Sequence, residues 1–238
     1  MREADNIREV QGLGVDWIGM IFHPESPRYV SQIRSRAGII PDYSRFELQR
    51  KCGADEEEKG LVHSVKRVGV FVDDMPQNIV TRVVNYKLDI VQLHGSESVV
   101  MIDNLRRTID PDIHPGILLM KALPVSTAED IKKYKEYIGH VDYFLFDANS
   151  SLPGGSGKQF DWSVVDEYDG DVPFILSGGI GPEDAERVLA INHPKMAGVD
   201  LNSKFETEPA VKDVEMLRIF INKFRYKNDQ DKQIVRRE

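Results

Sequence analysis

A chain of 238 residues with 41% hydrophobic and 29% charged side chains has enough material for one sizeable core and the composition of an ordinary globular protein. Its net charge of −8 excludes a partner held mainly by phosphate neutralisation, so nucleic acid is not expected, and no apolar run reaches membrane-spanning length. The single cysteine excludes an intrachain disulfide and suits a cytoplasmic location, and the charged start MREADNIREV carries no apolar signal core.

In chain order, a helix is predicted over 4–11 and an apolar strand over 16–22. The loop HPESPRYVS follows, in which Pro24 and Pro27 hold Arg28 near the strand's end. A guanidinium there suits bidentate recognition of a carboxylate, although an ordinary surface arginine reads the same way. Residues 33–64 exceed one crossover, contain Pro41 and the charged ADEEEKG, and read as a surface insertion. A strand at 68–72 leads to a helix at 76–86 opened by Pro76. The strand at 89–93 carries Gln92 and runs into His94, which reads as a hydrogen-bonded neighbour more than a catalyst. A helix over 96–107 takes Ser96 as its cap, with Glu97 in its first turn. A strand at 116–123 is followed by a helix over 126–138, marked by an I-x-x-Y-x-x-Y-I stripe.

The strand at 143–146 ends in Asp147 and breaks into a loop with Pro153, Gly154, Gly155 and Gly157. A carboxylate at the tip of a buried strand is costly unless solvated, paired or used, though it also serves as a turn cap. The strand at 172–176 runs into Ser177-Gly178-Gly179-Ile180-Gly181 before a helix opened by Pro182. The last strand, 197–201, contains Asp200 and runs into Asn202-Ser203-Lys204. A helix over 211–224 and a charged tail over 226–238, either a solvated helix end or disordered, complete the chain.

Seven strands alternating with helices call for a parallel sheet, and the repeat of about 25 residues is one βα unit. The expected fold is a single α/β domain over 1–225, a (β/α)8 TIM barrel with seven strands, one short of closure. An open doubly wound sheet is the rival, but ligand-binding features follow strands from first to last and do not cluster at one switch point. Glycine loops after the last two strands suit a phosphate, because they let backbone N–H groups approach the anion.

The ordered motifs F-H-P-x-S-P-R-Y-V, V-G-V-F-V, V-Q-L-H-G, F-L-F-D, P-G-G-S-G-K-Q-F-D-W, S-G-G-I and G-V-D-x-N-S-x-x-E-x-x-P closely resemble the phosphoribosylanthranilate isomerases of tryptophan biosynthesis, over about residues 1–224. The resemblance implies a cofactor-free, metal-free Amadori rearrangement of a phosphorylated substrate. It makes Asp147 the general acid and Arg28 the carboxylate-binding residue. Gly178, Gly179, Asn202 and Ser203 then bind phosphate, with Gln92, His94 and Asp200 in support.

Two departures stand out. Where the family has Ser-Gly, this chain has Ser203-Lys204, so that either Lys204 is strained by a positive φ or its ammonium adds charge near the phosphate. The family also begins with a strand ending in K-[IV]-C-G, whose cysteine is the general base. This chain aligns just after that motif, so the strand and base are expected to be missing and activity impaired. Cys52, in Lys51-Cys52-Gly53, follows no apolar strand. Exposed sheet edges would then offer a route to a homo-oligomer. Two alternatives remain: a non-catalytic phosphate-ligand-binding barrel, and an indole-glycerol-phosphate synthase with Lys121 as a catalytic lysine.

Overall fold

The computed structural model describes residues 1–31, 33–35, 38–40, 65–147 and 161–235, with backbone alone for 33–35, 38–40 and 226–235. The strands are β1 (Trp17–Ile21), β2 (Ile33–Ser35), β3 (Gly38–Ile40), β4 (Lys66–Phe71), β5 (Ile90–Leu93), β6 (Leu118–Pro124), β7 (Tyr143–Asp147), β8 (Phe174–Ser177), β9 (Met196–Val199), β10 (Glu206–Glu208) and β11 (Val211–Lys212). Seven of them form a sheet in the order β1-β4-β5-β6-β7-β8-β9. From β4 onward successive strands are joined by helices, and the seven strands pair in chain order, the connectivity of a (β/α) barrel with seven strands, as expected.

The chain divides into two compact units, Met1–Lys121 with Glu208–Lys212, and Ala122–Thr207 with Asp213–Glu238. In the first unit β1 pairs in parallel with β4 and β4 with β5, and all four residues of β5 are buried. Burial on both faces is why these strands read as continuous apolar runs and not as alternation. Phe22 packs on Phe71 and Tyr86 at ring distances of 5.3 and 4.8 Å. The helix Ala4–Gln11 is tied down by Asn6, whose side chain donates to the Lys212 carbonyl at 2.8 Å and accepts from its amide at 2.7 Å. The Met1 amino group donates to the Gly19 carbonyl of β1. Within 33–64, the described residues form the antiparallel pair β2–β3; the rest of the expected insertion, with Cys52, lies outside the described residues.

In the second unit β7 pairs with β8 and β8 with β9, all in parallel. Its core is aromatic, with Tyr168 edge-on to Tyr134 at 4.6 Å and to Phe146 at 5.2 Å. Burial pushes the Tyr134 phenol up to about 12, and its hydroxyl donates to Asp169 at 2.5 Å.

Three helix expectations are corrected. The segment 126–138 is a short α-helix, Ala128–Ile131, continued by the 3-10 helix Lys132–Tyr137. The reason lies in its own stripe. Ile131, Tyr134 and Tyr137 recur every three residues, the repeat that eclipses side chains in a 3-10 helix. The helix expected over 96–107 is Val99–Ile109, capped by Ser98, which accepts from the Met101 amide at 3.3 Å; Ser96 and Glu97 turn elsewhere. The last helix is Val214–Val235, preceded by β11 and capped by Asp213, which accepts from the Met216 amide at 2.9 Å. It carries on into the charged tail as a helix.

No described helix is long and apolar enough to cross a membrane. The cap of Ala128–Ile131 is a capping box in which Asp130 accepts from the Thr127 amide at 3.1 Å and pairs with Lys133 at 2.7 Å. Lys133's hydrogen bond is the largest cause holding the Asp130 carboxyl at about 2, below the ordinary 3.8. Because the folded value is depressed, the stabilisation is present above about pH 4 and fades as pH falls toward 2. Asp130→Ala should cost about 0.5–1 kcal/mol at neutral pH. Urea unfolding at a series of pH values should show that gap closing between pH 4 and 2; a constant gap would remove the carboxylate from the account.

Candidate functional site

In the first unit, the loop after β1 folds back on its own strand. The Val30 amide donates to the Ile21 carbonyl at 2.8 Å, and Ser26 accepts from the Arg28 amide at 3.2 Å. Arg28 is thereby held, half-buried, near the strand's C-terminal end. Arg82 of the helix Pro76–Tyr86 braces this loop. Its guanidinium lies 4.9 Å from the Phe22 ring centre and donates to the Tyr29 hydroxyl at 3.4 Å. At the end of β5, the buried Gln92 meets His94 Nδ1 at 3.1 Å, which bears out the hydrogen-bonded reading of that histidine.

The structure adds a buried ion pair beside them. Lys121 Nζ donates to Glu97 at 2.9 Å, to the Gly95 carbonyl at 2.6 Å and to the Leu93 carbonyl at 3.3 Å. The side chains of both ionic partners are 2% exposed. Glu97 in turn accepts from the amides of Asp73 and Gly95, each at 3.0 Å, while Asp73 accepts from the Ser96 amide at 2.6 Å. A Cβ on Gly95 would sit 2.5 Å from Asp73 Oδ1, so glycine is required by close approach. Asp73 itself adopts φ +47°. The carbonyls before and after His94 are therefore bound to one ammonium, and the backbone beneath that ring is held on both sides. Lys121, on which the synthase alternative was built, is here bound to Glu97 and two backbone carbonyls. The sequence marks Glu97 as a helix-dipole residue, and nothing in its local sequence reveals a partner 24 residues away.

In the second unit, Asp147 is the last residue of β7 and stands opposite Ser177 in the β7–β8 register. The Ser177 hydroxyl donates to Asp200 at 3.0 Å, and the Asp200 amide donates to the Leu176 carbonyl at 2.8 Å. Three successive strands thus deliver Asp147, Ser177 and Asp200 at their C-terminal ends. The glycine-rich loop expected after Asp147, with Pro153 to Gly157, lies outside the described residues.

Gly178 and Gly179 take φ +93° and +68°, conformations that other residues adopt at a cost, and a Cβ on Gly179 would meet nothing within 4 Å. Among the described residues, nothing occupies the place a side chain at 179 would take. The loop is held by a closed set of contacts. Trp162 Nε1 donates to the Gly178 carbonyl at 3.4 Å, and Arg187 stacks over Trp162 at 4.4 Å. Arg187 pairs with Asp184 at 2.9 Å, and Asp184 accepts from the Gly181 amide at 2.8 Å. Of these, Asp184 is detectable as a helix-start acid after Pro182, whereas Trp162 and Arg187 carry no local signal for this role.

Asn202 and Ser203 follow β9, with Ser203 opening the 3-10 helix Ser203–Phe205 and Phe205 buried against Phe220 at 5.3 Å. The strain considered for Lys204 is not found: the described non-glycine residues with positive φ are Asp73, Lys87 and Ala210.

The family profile described as N-(5'phosphoribosyl)anthranilate (PRA) isomerase matches residues 25–223. The N-(5'-phosphoribosyl)anthranilate isomerase of Parabacteroides distasonis is 43% identical over 221 residues, covering 93% of this chain and 89% of its own. The crystal structure of phosphoribosyl anthranilate isomerase from Thermotoga maritima is 28% identical, with a TM-score of 0.69 over 94% of this chain and 95% of its own. A crystal structure of phosphoribosyl anthranilate isomerase in complex with reduced 1-(o-carboxyphenylamino)-1-deoxyribulose 5-phosphate is 25% identical, with a TM-score of 0.68 and coverage of 94% and 95%.

The buried pair generates a stability prediction. Lys121→Met and Glu97→Gln should each cost about 3–5 kcal/mol in urea unfolding, because each leaves one buried charge without its partner. The double variant should cost clearly less than the sum. Additive losses would mean that the two side chains stabilise the loops independently.

Proposed function

The chain belongs to the N-(5'-phosphoribosyl)anthranilate isomerase family, and from that premise we propose how its own residues divide the reaction. The enzyme is an isomerase of tryptophan biosynthesis that converts N-(5'-phosphoribosyl)anthranilate to 1-(2-carboxyphenylamino)-1-deoxyribulose 5-phosphate. Asp147 is the general acid. It gives its proton to the furanose ring oxygen as the C1′–O bond breaks, leaving a Schiff base between C1′ and the anthranilate nitrogen. A base then removes the C2′ proton, and the resulting enol tautomerises to the ketone, so no atom is gained or lost.

Arg28 receives the anthranilate carboxylate as a planar, two-pronged donor. Gly178, Gly179, Asn202 and Ser203 receive the 5′-phosphate through backbone and side-chain donors. Asp200 positions Ser177, and Gln92 positions His94, each through the hydrogen bond described above. The observation that carries this division is the β7–β8 register, which sets Asp147 opposite Ser177, the residue leading directly into Gly178-Gly179. We place the enzyme in the cytoplasm on the evidence of its single cysteine.

The base is a separate matter. The sequence has one thiol, Cys52, which lies outside the described residues, and it contains no K-[IV]-C-G motif. We therefore assign the base to no residue of this sequence. The alternative of a non-catalytic phosphate-binding protein rests on that same feature, and the two readings part on rescue.

In a chain extended upstream by a strand ending in Lys-Val-Cys-Gly, isomerisation of N-(5'-phosphoribosyl)anthranilate should rise well above that of the 238-residue form. Asp147→Asn in the extended chain should then remove about 10²–10⁴-fold of the rate while preserving affinity for the reduced product. Unchanged turnover in that variant would return Asp147 to the role of a turn cap. Titration with the reduced product should show Arg28→Ala losing more affinity than Arg28→Lys; equal losses would exclude planar recognition as the role of Arg28.

A further inference from the structure

Lys204 is a charged residue that the reaction above leaves without a role. It lies in the loop after β9, exposed, at the centre of the short 3-10 helix Ser203–Phe205. Its buried neighbour Phe205 anchors the backbone, so the lysine's origin is fixed even though its tip is in solvent. The side chain runs toward the loop after β8. A Cβ built on Gly181 would lie 3.2 Å from Lys204 Cδ and 3.9 Å from its Nζ. The aliphatic stem thus packs on Gly181, and the ammonium stands beside the Gly178–Gly181 loop. A glycine at 181 leaves the space that the stem fills.

The charges around this ammonium give it a purpose. Within 177–184 and 200–206, Lys204 is the one cation, against the carboxylates of Glu183, Asp184, Asp200 and Glu206. Asp184 is already engaged by Arg187 and the Gly181 amide, and Asp200 by the Ser177 hydroxyl. Lys204 itself forms no ion pair or hydrogen bond with another described residue. A dianionic phosphate entering at Gly179 would meet amide dipoles but also this acidic surround. Amide dipoles carry only partial charge, whereas an ammonium carries a full one.

We propose that Lys204 is a phosphate-binding residue of this chain, reaching from the loop after β9 across Gly181 to place a side-chain cation on the 5′-phosphate. The inference rests on the assignment of the Gly178–Gly179 and Asn202–Ser203 loops to phosphate. It adds to those loops a side-chain charge. The ammonium acts on ground state and transition state alike, since the phosphate does not react, and so it sets affinity and not the chemical step.

The test is a titration of the 238-residue chain with inorganic phosphate, read by the amide resonances of Gly178, Gly179 and Ser203. Wild type, Lys204→Ala, Lys204→Gly and Lys204→Arg are compared at low ionic strength. The expected result is that phosphate shifts the same amides in all four proteins. Affinity should fall about tenfold in the Ala and Gly variants and be largely kept in Arg. Added salt should narrow that gap, as screening requires. If the loop amides shift with equal affinity in wild type and Lys204→Ala, the loops bind phosphate and Lys204 does not take part. If Lys204→Gly binds as well as wild type while Lys204→Ala does not, the backbone of the turn decides and the charge is irrelevant. If phosphate leaves the loop amides of wild type unmoved, the phosphate assignment fails first and the inference falls with it.

Discussion

A parallel strand cannot reverse into its neighbour by a tight turn, so each one ends by releasing its chain into a loop that leaves the sheet. At that point the ladder stops, and amides and carbonyls that are half-buried lose their partners. Such groups are costly unless something else meets them. Much of what distinguishes this protein is how it meets them, and the two compact units do so differently.

In the first unit the solution is charge. One ammonium and one carboxylate, Lys121 and Glu97, serve the backbone of Leu93, Gly95 and Asp73 at once. A buried pair like this gains little over a well-packed apolar pair, but it binds several polar groups that an apolar pair would leave unmet. The result is a rigid setting for Gln92 and His94. In the second unit the loop after β8 is supported by Trp162, Arg187 and Asp184, while no described atom lies within 4 Å of where a side chain at Gly179 would stand. A loop stiffened in this way is suited to presenting N–H groups to an anion without rearrangement, which is what electrostatic preorganisation requires.

The same economy governs Asp147. Asp147 ends a strand whose central residues are buried, so its position is set by the sheet and not by a loop, and the β7–β8 register fixes what stands opposite it. Groups held on strands keep their geometry better than groups held on loops. The proposed acid therefore sits on a strand, and the glycine loop proposed for phosphate follows the neighbouring strand.

The seven strands of the main sheet, their order and the strand ends bearing Asp147, Gln92 and Asp200 were legible in the sequence, because buried parallel strands leave short apolar runs and their ends are marked by polar or glycine residues; the short pairs β2–β3 and β10–β11 were not. Arg28 and the Gly178-Gly179 turn were legible for the same local reason. The 3-10 continuation after Ile131 was written in a three-residue repeat that resembles a helical stripe until packing selects the tighter coil. Only tertiary structure decided that Glu97 turns inward to Lys121, that Trp162 and Arg187 support Gly178 and Gly181, and that Lys204 lies across Gly181. Apart from the local Arg187–Asp184–Gly181 link, these contacts join residues from different βα units, and a contact between distant parts of a chain leaves no period, cap or spacing in the residues that make it.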